Sequence, residues 1–301
     1  AMKASSTQTS RGTPAYIQYG YVPQDKHGWS VTMTLEYAFD DWCIAQVAKK
    51  LGYENDYQYY LKRAGSYASL FDKSTGFMRS KNSNGQFVEP FDPLLSEHGF
   101  DGQYIEGTAW QHSFFVPHAV QELAALYGGK KQLVAKLDSL MTAPSELHGA
   151  NVSADVTGLI GQYAHGNEPS HHILYMYSAL GEFTKAAKWL PVVADSMYKT
   201  GPDGLVGNDD CGQMSAWYVW TTLGMYPMNP TGGQYHFGYP LANGASIQLP
   251  NGKTLLVEVI KTKSTLPKQL HKIVLNGKAI TKTFITHEQI LQGGKLQLHI
   301  Y

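Results

Sequence analysis

Residues 30–51 read SVTMTLEYAFDDWCIAQVAKKL, and the spacing of their apolar positions decides the fold class. Val31, Leu35, Ala38, Trp42, Ala45, Ala48 and Leu51 recur in steps of three and four, the period of one helix face. Ser30 is a candidate N-cap and Gly52 a candidate terminator. A second stripe follows at once, at Tyr57, Tyr60, Ala64, Tyr67 and Leu70. Two helices joined by so short a link predict an antiparallel hairpin.

Working outward, residues 72–104 lose the helical period and are full of Gly, Pro, Asp, Ser and Asn. An irregular stretch of that length inside a compact domain is usually functional. The helical pattern returns over 108–127, 129–142, 170–182, 184–199 and 212–224, which makes about seven helices in succession. After Pro230 the texture changes. ASIQLPNG, KTLLVEVIK, HKIVLNGKAI and KLQLHIY alternate apolar and polar residues around Asn-Gly and Gly-Gly turns, the pattern of antiparallel strands. The expectation is a mainly α chain, with a helical region over 1–230 and a short antiparallel β region over 231–301. The chain opens without a clear domain start and stops on a strand residue, Tyr301, which predicts that both ends are cut.

Composition narrows the function. Lys plus Arg and Asp plus Glu are 24 each, so the net charge is zero. That speaks against nucleic acid or an acidic membrane surface as the main partner. The 20 Tyr, 11 Phe and 6 Trp suit a carbohydrate cleft, although ordinary core packing accounts for most of them. No apolar run is long enough for a membrane span, and AMKASSTQTSRG lacks the apolar stretch of a signal peptide. Cys43 and Cys211 exclude a disulfide framework; two buried thiols are favoured over one long-range bridge.

Three polar islands stand beside aromatic runs. In YIEGTAWQHSFFVPH, Glu106 precedes a helix start, where the helix dipole favours a carboxylate and Trp110 is placed to desolvate it. Taken alone, Glu106 reads first as an ordinary acidic helix-start residue. In HGNEPSHHILYMYSALG, Asn167 and Glu168 offer oxygen ligands that suit a hard cation such as calcium. His171 and the adjacent His172 point about 100° apart on a helix and make a poor zinc chelate, so hydrogen bonding to sugar hydroxyls or to the turn suits them better. Taken alone, Asn-Glu-Pro is an ordinary capped turn. In GNDDCGQMSAWYVWTTLGMYP, capping explains one of Asp209 and Asp210 but does not need two. Trp217 and Tyr218 read as core. In a ring of helical hairpins such turns converge on one face, supplying two carboxylates from distant segments to a sugar.

These motifs carry a family resemblance. YGYVPQDKHGWSVTMTLEYAFDDWCIAQVAKKLG, LFDKSTGFMR, EGTAWQHSFFVPH, GNEPSHHILYMY and GNDDCGQMSAWYVWTTLGMYPMNPTGGQYHFGYP resemble the calcium-dependent exo-α-mannosidases of glycoside hydrolase family 92 over nearly the whole chain. The resemblance implies a partial (α/α)6 toroid beside a β-sandwich, and hence the C-terminal part of a longer enzyme whose missing N-terminal part is its partner. It implies inverting, calcium-assisted release of terminal mannose, α-1,2-linked first among the linkages, from N-glycans or mannans. Glu106 matches the general acid and Asp210 the acid that activates water. Asn208 stands where some members carry another acid, leaving the division of roles between Asp209 and Asp210 open. Asn167 and Glu168 match the calcium turn, and His165, His171 and Trp110 are candidate substrate contacts. The family's habit implies a bacterial enzyme of the periplasm or cell surface. Two other readings stand beside it: a glycosidase of this fold acting on another glycan, and a glycan-binding fragment without turnover.

Overall fold

The computed structural model describes all 301 residues, which divide into two compact units, Ala1–Ser170 and His171–Tyr301. The change of texture after Pro230 falls inside the second unit.

The first unit is organised around the long helix Ser30–Lys50. Its buried face is Val31, Leu35, Ala38, Asp41, Ala45 and Ala48, while Trp42 is half-buried and Leu51 exposed. The apolar period therefore drifts onto Asp41, a position the sequence pattern passes over. Asp41 lies inside because its Oδ2 accepts from the Tyr16 hydroxyl at 3.0 Å and from Arg63 Nε at 2.8 Å. A buried carboxylate needs such partners. Arg63 ends the next helix, Glu54–Arg63, so this ion pair ties the expected hairpin together. Gly52 terminates the long helix as expected, at φ 77°, a backbone region that glycine enters without a Cβ penalty. The second stripe does not continue as one helix. Gly65 intervenes, and Ser66–Leu70 forms a short 3-10 turn.

Ser30 does not cap the long helix. Trp29 is the residue before it, at φ 54°, and its side chain makes no capping hydrogen bond. The carbonyls of a distant loop do so instead: Trp29 N–H donates to Gly102 O at 2.6 Å and Val31 N–H to Gln103 O at 3.1 Å. These are two of the amides that an α-helix leaves without an internal partner. The approach is close enough to require glycine at 28, where a Cβ would come 1.5 Å from Phe100 O.

The irregular segment 72–104 is thereby anchored. Strands β1 (Phe71–Asp72) and β2 (Phe77–Met78) open it as a small hairpin. Arg79 then binds Asp72 and Glu89, each at 2.7 Å, and the Tyr104 hydroxyl donates to Met78 O at 2.7 Å. The expected helix over 108–127 is two short ones, Ala109–His112 and Val120–Leu126. Pro117 lies between them, and proline has no N–H to continue a helix and restricts the residue before it. Lys130–Thr142 follows, then the hairpin β3 (Leu159–Ile160) and β4 (Tyr163–Ala164) and a 3-10 turn, Glu168–Ser170.

The second unit contains helices Ile173–Ala179, Phe183–Met197 and Gln213–Thr222. Its strands form two sheets. β5 (Met225–Asn229), β6 (Gln234–Phe237) and β11 (Phe284–Thr286) are antiparallel, in the order β11-β6-β5. The larger sheet runs β10-β9-β12-β8-β7, from β7 (Gly244–Gln248), β8 (Thr254–Lys261), β9 (Leu270–Leu275), β10 (Lys278–Ile280) and β12 (Gly294–Ile300). The expectation of antiparallel pairing holds except between β8 and β12, which are parallel. The connection from β8 to β12 runs through residues 262–293, taking in β9, β10, β11 and a helical turn at His287–Leu291, and parallel strands need such a long crossover. Leu296, Leu298 and Ile300 of β12 are fully or almost fully buried in one apolar core with Leu255, Val257 and Ile273. Both cysteines are thiols, but Cys43 is half-buried and Cys211 exposed, contrary to the expectation that both lie buried.

Glu36 on the long helix yields a stability prediction. Burial, with a smaller contribution from Asp40, pushes its carboxyl up to about 7. The folded chain therefore holds a proton that the unfolded chain has released between the ordinary glutamate range and pH 7, so stability falls as pH rises through that window. Glu36→Gln should raise the melting temperature at pH 8 and leave it nearly unchanged at pH 4. Equal shifts at the two pH values would contradict this placement.

Candidate active site

Glu106 occupies a turn held from three sides. Its own backbone is left-handed, at φ 52°. That region costs a residue with a Cβ about 1–2 kcal/mol and persists only where neighbours enforce it. The enforcing bonds are identifiable. Ile105 N–H donates to Thr32 Oγ1 at 3.0 Å, and Ile105 O lies 2.8 Å from His112 Nε2. Glu106 O accepts from Asn167 Nδ2 at 3.0 Å, and the same amide nitrogen lies 3.4 Å from Glu106 Oε2. Immediately after the turn, Thr108 caps the Ala109–His112 helix in a reciprocal capping box with Gln111. Gln111 also donates to Gln162 O at 2.6 Å, which fastens the β3–β4 hairpin to this helix.

Trp110 is half-buried beside a different set of groups. Its ring stands edge-on to Phe77 at 4.9 Å, with the Lys136 ammonium 4.4 Å from its centroid. The same ammonium sits 3.3 Å from the Phe77 centroid, and burial lowers its pKa to about 8.

The Asn-Glu-Pro turn reaches the Glu106 turn through Asn167. Two acceptors on Glu106 face one Asn167 nitrogen, which fixes the amide orientation and turns Oδ1 the other way. Glu168 follows as the first residue of the 3-10 turn. His165 is completely buried, with Nδ1 2.7 Å from the Tyr163 hydroxyl. In the second unit, His171 and His172 are both buried. His171 Nδ1 lies 3.1 Å from Gln213 Nε2, and its carbonyl accepts from Trp217 Nε1 at 3.0 Å.

The Asp-Asp pair divides sharply. Asp209 Oδ1 accepts from the Ser215 amide at 2.9 Å and from its hydroxyl at 3.0 Å. Its carbonyl accepts from Gln213 N–H at 2.7 Å, so Asp209 caps the Gln213–Thr222 helix. Asp210 is exposed, with φ 43°, and Cys211 (φ 58°) and Gly212 (φ 97°) continue the left-handed run. Only the last of these three is a glycine. Trp217 is fully buried, whereas Tyr218 is 40% exposed. Adjacent helix residues point about 100° apart, so the two could not both face the core.

The side chains that set the Glu106 turn, Thr32, Gln111 and His112, are absent from the sequence-based set. A capping-box signal was there to be read in Thr108-Ala-Trp-Gln111. Thr32 and His112 carry no signal of their own, because their partner is a backbone amide 73 and a carbonyl 7 positions away.

The sequence pattern of the glycosyl hydrolase family 92 catalytic domain matches residues 1–301. The chain superposes on the family GH92 alpha-mannosidase BT3965 from Bacteroides thetaiotaomicron, in complex with mannoimidazole, with a TM-score of 0.90 and 39% identity, covering 100% of this chain and 40% of that one. For the family GH92 inverting mannosidase BT2199 from the same organism, the TM-score is 0.85 and the identity 32%, covering 100% of this chain and 42% of that one. An uncharacterized secreted glycosidase of Arthroderma benhamiae is 29% identical over 97% of this chain and 39% of its own length. The chain thus spans about two fifths of the length of these relatives. Matched from its first residue to its last, it belongs to glycosyl hydrolase family 92.

Proposed function

We propose that this chain is the C-terminal part of an exo-acting α-mannosidase, releasing terminal mannose from N-glycans or mannans with inversion, α-1,2 linkages first among them. The observation that carries the reading is the backbone of the two role-bearing carboxylates. Of the six non-glycine residues with positive φ in 301, one is Glu106 and one is Asp210. Such strain concentrates where side-chain aim matters more than stability. Likeness over the whole chain to two solved mannosidases of the family supports the substrate class. The helices are read as part of an (α/α)6 toroid completed by the N-terminal part of the same enzyme.

In this mechanism Glu106 gives its proton to the departing glycosidic oxygen, and Asp210 takes a proton from the attacking water. Asp209 contributes by capping the helix behind Asp210. Asn167 orients Glu106, and with Glu168 it offers oxygen atoms to calcium. The donor chemistry fits a hard cation, since both groups are oxygen donors and Asn167 Oδ1 is turned away from Glu106. No three His, Cys, Asp or Glu side chains of this chain gather as a metal cluster, so water and sugar hydroxyls would complete the shell. When bound, the ion would hold sugar hydroxyls and favour a distorted ring. His165, His171 and Trp110 remain proposed substrate-side residues; the first two act from buried positions, through the groups they orient. No helix is long and apolar enough to cross a membrane. One relative is named as secreted, which supports an exported enzyme of the periplasm or cell surface.

Two outcomes test the reading, both in a protein of the relatives' length that contains this chain. Exhaustive chelation should abolish turnover of an aryl α-mannoside, and calcium but not zinc should restore it; activity that survives chelation rejects calcium. Glu106→Gln should slow an unactivated mannoside by about 10²–10⁴-fold, the usual worth of acid–base assistance. An aryl mannoside with a good leaving group needs little protonation and should lose much less. Equal loss on both would assign Glu106 a binding role.

A further inference from the structure

The bonds around residue 105 single out one side chain that the functional reading does not use. His112 is buried, its ring stacked on Tyr104 with centroids 5.6 Å apart. Burial lowers its pKa to about 4, so the imidazole is neutral at ordinary pH. A neutral imidazole carries one N–H, and a carbonyl can only accept, so the 2.8 Å contact to Ile105 O fixes the hydrogen on Nε2. Nδ1 is then left as an acceptor, and Thr32 Oγ1 packs against the ring about equally far from both nitrogens, 3.3 Å from Nδ1 and 3.4 Å from Nε2. Thr32 Oγ1 also accepts from Ile105 N–H at 3.0 Å.

The two side chains thus hold both peptide groups of Ile105, the amide by Thr32 and the carbonyl by His112. The carbonyl of residue 105 belongs to the peptide unit that leads into Glu106, so its direction helps set the left-handed φ there. Residue 107 is shaped to the same ring. A Cβ on Gly107 would lie 2.7 Å from His112 Nε2, so the turn wraps the imidazole only with glycine at that position.

We propose that His112 is a positioning residue for the general acid: as a neutral Nε2–H donor, paired with Thr32, it locks the 105–106 peptide and aims the Glu106 carboxyl at the leaving oxygen. The proposal rests on the reading of Glu106 as that acid. A displacement of about 1 Å at a reacting group costs on the order of 10²-fold. Loss of the lock should therefore weaken protonation of the leaving group and leave sugar binding largely intact.

The test uses His112→Phe, which keeps the ring but removes the donor, and His112→Gln, which restores an N–H donor. Thr32→Val, which removes the acceptor for Ile105 N–H, is the third variant. Each is measured with an unactivated α-mannoside and an activated aryl α-mannoside, alongside a thermal melt and Glu106→Gln. His112→Phe and Thr32→Val should lower kcat on the unactivated substrate by about 10- to 10²-fold. The loss on the aryl substrate should be much smaller, KM should change little, and His112→Gln should recover most of the rate. Equal loss on both substrates, no loss, or a glutamine variant no better than phenylalanine would overturn the proposal. Should His112→Phe fail to fold, Thr32→Val decides by the same criterion. If Glu106→Gln itself lacks leaving-group selectivity, the acid reading falls and takes the proposal with it. If Glu106→Gln is selective and His112→Phe is not, only the role of His112 falls.

Discussion

The first turn of the helix Ser30–Lys50 has no side-chain cap, and the backbone of residues 102–103 caps it. The placement of Glu106 depends on that exchange. Helical amides at Trp29 and Val31 need acceptors, and an irregular segment has carbonyls to offer. Both needs are met by laying the segment across the helix start, over Gly28, where a Cβ has no room. Three residues further on, Ile105 meets Thr32 from the same helical turn, and Glu106 follows. An exposed-sequence loop thereby becomes a fixed support for one carboxylate.

The second unit solves a similar problem with fewer parts. Asp209 accepts from the helix amides and from the Ser215 hydroxyl, while the chain turns left-handed through Asp210, Cys211 and Gly212. Sparsely populated backbone of this kind costs of order 1–3 kcal/mol for each non-glycine residue, here Asp210 and Cys211. The cap recovers about 0.5–2 kcal/mol, the usual worth of such a residue. Asp210 is left exposed, with its carbonyl accepting from Gln213 N–H at 3.3 Å. The pairing of a half-buried cap with an exposed carboxylate explains why adjacent acids occur here: they divide two tasks that one aspartate could not perform.

Much of this was legible before any coordinates. The 3.6-residue period located the Ser30–Lys50 helix, and alternation after Pro230 located the strands of the larger sheet, because burial of one face writes directly into residue order; β5, inside the expected helical region, and β6 and β11 lie outside the stretches so read. The helix over 108–127 was misread as continuous, since apolar period alone does not register what Pro117 does to it. The parallel pairing of β8 with β12 was also out of reach, because alternation reports the buried face and says nothing of which strand lies alongside. Asp41 carries no signal in the apolar pattern, because its burial follows from Tyr16 and Arg63, partners 25 and 22 positions away. Glu106, Asn167 and Asp210 stood out as polar residues in aromatic surroundings. Thr32 and His112 did not, because they act on backbone groups, which have no sequence signature.

If, as proposed, Glu106 protonates the leaving oxygen and Asp210 activates the attacking water, the sugar must invert at its anomeric carbon. Proton NMR of an α-mannoside digest, recorded within the first turnovers and before mutarotation, reads that carbon directly. The account predicts that β-mannose appears first and the α-anomer grows in later. Initial release of α-mannose would mean a covalent intermediate, with one carboxylate as nucleophile, and would contradict the roles assigned to both turns.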